Sequence, residues 1–136
     1  MPDSIETIVA GELLEHLPHP LAFLSDLHAL FPGRNLVLTT PNATSLTNAL
    51  LALAARESSH CDHLQVFSHK TLNSLCLRAG FKQWEIIPYQ VRFTELVLRS
   101  QGFRRTMVSA AEWLVNLGER IFPLLAGGLI LDVSHI

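Results

Sequence analysis

The chain has 136 residues, enough for one domain around a single hydrophobic core. Apolar residues make up 49% and charged residues 16%, so the surface is under-charged for a free-standing domain and some apolar area expects cover. The net charge of −2, with Arg104-Arg105 as the sole basic doublet, argues against a nucleic-acid footprint.

Cys61 and Cys76 form no CxxC pattern, and free thiols in a reducing compartment are the default for such a pair. No basic segment followed by an apolar run opens the sequence, so no signal peptide is expected. The apolar tail is interrupted by Glu112, Glu119 and Arg120 and does not read as a membrane span. The expected location is the cytoplasm.

In chain order, Ile5 to Ala10 suits a buried parallel strand, and Gly11 permits a close turn after it. Glu12, Glu15 and His16 follow; a helix after Gly11 would place all three on one face. Two acids and an imidazole at the end of a buried strand are costly unless they bind something. The competing reading is a solvated first turn, with acids favoured by the helix dipole. Leu17-Pro18-His19-Pro20 stops any such helix, and Pro20 opens the next at its first position. That helix carries Leu21, Leu24, Leu27, His28 and Phe31, with His28 expected on its surface, and ends at Pro32-Gly33.

Asn35 to Thr40 is a second buried strand, closed by Pro41-Asn42. Thr44 or Ser45 caps a short apolar helix through Leu53. The polar run Ser58 to His63 reads as a loop, and Ser68 caps a helix through Arg78 that ends at Ala79-Gly80-Phe81. Trp84 to Tyr89 is a third strand. A mostly helical stretch from about Thr94 to Leu125 follows, broken near Gly102 and at Pro123, and Gly128 to Val133 is a fourth strand. The alternation implies a layered α/β domain with a largely parallel sheet, its first crossover helices on one face and nothing for the other. Taken alone, His60-Cys61-Asp62-His63 is a metal-binding turn, a polar loop or a proton-transfer site. The Cys and His partners of a finger-like zinc site are missing.

GELLEHLPHPLAFLSDL, LVLTTPN and HLQVFSHKTLNSLCLRAGF, in this order and spacing, resemble segments of class I S-adenosylmethionine-dependent methyltransferases. The similarity is to the branch with ubiquinone-type O-methyltransferases and small-RNA 2′-O-methyltransferases. LAGGLILDVSHI resembles the family's last strand, and 90–127 corresponds to a variable, mostly helical insertion. The resemblance implies a partial Rossmann-like methyltransferase fold over residues 1–136. Its sheet is mostly parallel with an antiparallel closing strand, and the N-terminal strands, the Gly-rich cofactor loop and the acidic ribose partner are missing.

By that resemblance Ala10, Gly11 and Glu12 line the S-adenosylmethionine cleft. Thr40, Pro41 and Asn42 lie on the substrate side, and Glu15 and His16 are the catalytic candidates. In relatives an ExxEH motif and a later His hold a divalent cation. The matching positions are Glu12, Glu15, His16 and His63, for magnesium or manganese. The expected chemistry is O-methylation of a small-molecule acceptor. The alternatives are a non-catalytic interaction module pairing with a cofactor-binding half, or a small metal-binding protein. The first strand, lacking a neighbour, is expected at an open sheet edge through which the chain associates.

Overall fold

Residues 5–57, 60–91 and 98–136 are described by the computed structural model. Their first strand, β1 (Thr7–Gly11), leads through a single 3-10 turn (Leu14–His16) to helix α1 (Pro20–Leu30) and strand β2 (Asn35–Pro41). Helices α2 (Leu46–Leu53) and α3 (His69–Ala79) precede β3 (Trp84–Tyr89). A twenty-residue helix α4 (Gly102–Ile121), a 3-10 turn (Pro123–Leu125) and β4 (Gly128–Val133) complete the order. The part of the helical stretch expected from Thr94 that precedes Leu98 lies outside the described residues.

The capping residues behave as their chemistry dictates. Ser45 accepts the Asn48 amide at the start of α2. Ser68 and Thr71 form a reciprocal capping box on α3, which saves two amides from being left unpaired. Gly80 ends α3 with φ +91°, a left-handed conformation that a side chain resists. Pro20 occupies the first turn of α1, where its missing amide costs nothing.

The four strands form one sheet in the order β1-β2-β4-β3. β1 and β2 pair in parallel, while β4 runs antiparallel to both of its neighbours. Three strands therefore point one way and the closing strand points back, as the resemblance implied. β1 stands at the edge, and its strand begins at Thr7 rather than Ile5.

Alternation along β2 decides the faces: Leu36, Leu38 and Thr40 are buried, while Val37 and Thr39 are half-buried. The buried row meets Leu24 of α1 and Leu72, Cys76 and Ala79 of α3, and together with Leu129, Leu131 and Val133 it forms the core. Burial pushes the Cys76 thiol up to about 12. His28, expected on the surface of α1, is half-buried with its ring edge-on to Phe81 at 5.8 Å. The opposite face carries Val9, Val37, Ile130 and Ile87, none of them buried. Val9 is 72% exposed, an apolar side chain on an edge that no described strand pairs with.

Candidate functional site

β1, β2 and β3 share a direction, so their carboxyl ends gather at one end of the sheet. In doubly wound sheets ligands occupy the crevice outside such ends. A cavity of about 730 Å³ lies there, and Glu12, Glu15, Pro41, Asn48, His63 and Tyr89 line it.

The residues after Gly11 do not form the expected helix. Glu12 has φ +50°, a left-handed conformation that interrupts any continuous turn, and only Leu14–His16 coil as a 3-10 turn before the prolines. Glu12 is held by its amide, which donates to the carbonyl and hydroxyl oxygens of Thr39. Its carboxylate accepts the Tyr89 hydroxyl at 3.2 Å. Glu12 is thus separated from Glu15 and His16 by backbone geometry.

Glu15 is the unusual residue. It is 1% exposed, and its Oε2 accepts the Thr40 hydroxyl at 3.0 Å. Its Oε1 is buried and has no hydrogen-bond partner. A buried carboxylate oxygen left unpaired costs on the order of 1–3 kcal/mol or more. His16 and His63 stand beside it: one ligand atom from each of Glu15, His16 and His63 lies within 4.8 Å of the others.

The loop carrying His63 is fastened where it must be. Leu64 and Gln65 donate their amides to the Glu15 carbonyl at 2.8 and 3.1 Å. Farther on, the Ala43 amide donates to the Phe67 carbonyl at 2.7 Å, tying the loop to the end of β2. The His16 and His63 rings meet edge to face with centroids 4.9 Å apart. His16 Nδ1 lies 3.1 Å from the Asp62 carbonyl; a carbonyl only accepts, so Nδ1 is the donor, which in a neutral ring leaves the lone pair on Nε2.

Of the four candidate ligands, Glu15, His16 and His63 come together and Glu12 stays with Tyr89. A buried carboxylate with an unpartnered oxygen beside two imidazoles fits a divalent cation. Of the substrate-side candidates, Pro41 lines the cavity and Thr40 orients Glu15. Asn42 is buried and turned to internal work. Its Nδ2 donates to the Leu124 and Ala126 carbonyls, and its Oδ1 accepts from the amide and hydroxyl of Thr44. A second group, His60, Cys61 and Asp62, is fully exposed on the same loop, with His60 Nδ1 3.4 Å from the Asp62 carboxylate.

Tyr89 was not foreseen, although it is the chain's single tyrosine and ends a strand that points at the cavity. Its ring lies across Gly128, where a Cβ would come within 2.3 Å of it. Burial, then the charge and hydrogen bond of Glu12, push the hydroxyl up to about 12, so Tyr89 is a standing donor.

The strand order with one antiparallel closing strand, and the cavity at the carboxyl ends, match part of the class I methyltransferase fold. The chain belongs to the methyltransferase domain family, whose model matches residues 2–86, more than half its length. No curated protein matches it significantly. A solved S-adenosylmethionine-dependent methyltransferase from Archaeoglobus fulgidus is similar, with TM-score 0.58 and 17% identity over 95% of this chain and 58% of that one. The small RNA methyltransferase HEN1 is similar with TM-score 0.61 and 14% identity, over 97% of this chain and 14% of that one. Phosphoethanolamine N-methyltransferase 2 from Haemonchus contortus, solved with S-adenosyl-L-methionine, gives TM-score 0.52 and 13% identity over 100% of this chain and 34% of that one. The chain therefore spans 58% or less of the length of these structures.

Proposed function

We propose that this chain supplies the acceptor side of an S-adenosylmethionine-dependent O-methyltransferase acting on a small molecule, with a divalent cation held by Glu15, His16 and His63. The observation that carries the reading is the buried carboxylate of Glu15 at the carboxyl end of β1: its Oε1 has no hydrogen-bond partner, and one of its oxygens lies within 4.8 Å of a ring nitrogen of both His16 and His63. Such a cation supplies Lewis acidity that lowers the pKa of an acceptor hydroxyl.

The chain's own residues do the positioning that a direct displacement needs. Thr40 fixes one oxygen of Glu15 and leaves the other without a hydrogen-bond partner. The Asp62 carbonyl fixes the His16 tautomer. Tyr89 holds Glu12 beside Gly11, where family membership supports contact of Ala10, Gly11 and Glu12 with the cofactor. The carboxylate and imidazole set suits manganese, and magnesium only with waters completing its shell. Residues 90–127 are read as an insertion on this frame.

Calorimetric titration with manganese tests the site. One equivalent is expected to bind, and Glu15→Ala with His16→Ala is expected to remove binding. Undiminished binding by that double variant would place the cation elsewhere.

A further inference from the structure

Helix α4 is oriented against its own amphipathicity. The side turned into the protein carries Val108, Glu112, Val115 and Glu119, and Glu119 and Val115 are buried. Gly118 lets the helix approach α2, where a Cβ would meet Leu46 at 2.7 Å. The outward side carries Phe103, Met107, Ala110, Leu114, Leu117 and Ile121, all exposed and spaced alternately by four and three. Phe103 is 80%, Leu114 60% and Ile121 61% exposed. With Trp113 on its border, the apolar arc covers roughly 120° of the helix, the width of a face that expects burial.

Charge decides among the occupants. The fully exposed charges of α4 are Arg104, Arg105 and Arg120, while Glu112 is half-buried and Glu119 buried. Arg120 borders one side of the arc beside Trp113, and Arg104 the other. A second copy packed antiparallel about the helix centre would set Arg104 beside Arg120 of that copy. A parallel copy would bring no acid to either arginine. A surface rich in negative charge complements the face at both borders. No described helix is long and apolar enough to cross a membrane, and an amphipathic helix that meets a bilayer without spanning it lies in the interface plane.

We propose that α4 is an interfacial anchor for an anionic lipid bilayer. The stripe from Phe103 to Ile121 sits at the acyl boundary, with Trp113 and the arginines at headgroup level. This assignment is independent of the cation centre.

Co-sedimentation of the chain with vesicles of phosphatidylcholine, alone and mixed with phosphatidylglycerol, tests it. The chain is expected to pellet with the mixed vesicles and to remain free with the neutral ones. Trp113 emission is expected to shift to shorter wavelength on binding, and Trp113→Phe to remove the shift. Replacing Arg104, Arg105 and Arg120 by Gln together is expected to weaken partition roughly a hundredfold. Leu114→Glu is expected to abolish binding without lowering the melting temperature, because the side chain is already in solvent. Failure to bind anionic vesicles overturns the proposal, as does binding that survives Leu114→Glu. A solution dimer that Leu114→Glu dissociates also overturns it, assigning the face to a second copy. Glu15→Ala is expected to leave vesicle binding unchanged, which separates this test from that of the cation centre.

Discussion

Glu15→Gln is expected to reverse its effect on stability according to whether a divalent cation is present. The native carboxylate is 1% exposed, with one oxygen on the Thr40 hydroxyl and the other on nothing. In metal-free buffer that second oxygen costs on the order of 1–3 kcal/mol, and a glutamine that keeps the Thr40 contact leaves a neutral amide there, which is cheaper to bury unpaired than a charged oxygen. The variant should therefore melt higher than the native chain in chelator, by about 4 °C for about 1 kcal/mol in a domain of this size. Manganese at a hundred times its dissociation constant stabilises the native chain by about 2.7 kcal/mol, and should add little to the variant. The order of the melting temperatures then inverts between EDTA and manganese, which circular dichroism reads directly. A variant that melts lower than the native chain in EDTA, and that manganese shifts as far as the native chain, would refute the reasoning. It would show Glu15 to be a packing residue.

Glu119 is buried with Oε2 unpartnered, and burial raises its pKa against the lowering effect of the Gly127 backbone hydrogen bond. A raised folded-state value means its stability contribution is complete below the ordinary carboxylate range and is lost as pH rises through the folded value. Glu119→Gln should therefore raise the melting temperature near pH 7, with a gain that vanishes toward pH 4; a constant difference across melts in that range would contradict this. Cys76, pushed up to about 12 in the core, should resist a thiol reagent that titrates exposed Cys61 at once, and two equally fast thiols would show the core to be open. Val9→Lys should reduce self-association measured by sedimentation, since Val9 is 72% exposed on the edge that no described strand pairs with; an unchanged distribution would clear that edge of the role. S-adenosylhomocysteine should bind the chain only weakly, because Ala10 and Gly11 are flanked by β2 on one side alone, and micromolar affinity by calorimetry would contradict the half-cradle.

Much of the fold was legible because local chemistry and tertiary context agree. The caps at Ser45 and Ser68, the stop at Gly80 and the four strands lie where turn residues and apolar runs place them. Strand order was legible only through the family resemblance, since four apolar runs do not reveal which neighbour each selects. The geometry after Gly11 was not legible. Spacings of three and four suit a helix, but the left-handed Glu12 and the prolines at 18 and 20 leave room for one 3-10 turn.

That turn is what parts Glu12 from Glu15. His63 reaches the site through the backbone amides of Leu64 and Gln65, and such bonds have no residue-type signature. Tyr89 shows the same limit: its hydrogen bond to Glu12 spans β3 to β1, elements that are not neighbours in the sheet. The reversed orientation of α4 was hidden as well, because an amphipathic pattern gives the apolar face without saying that it points outward.

The proposed cation centre is tested most directly by electron spin-echo measurements on the chain with one equivalent of manganese. The account predicts nitrogen couplings from two imidazoles, reduced to one in His63→Ala and lost in that variant combined with His16→Ala. A bound manganese with no imidazole nitrogen coupling would contradict it.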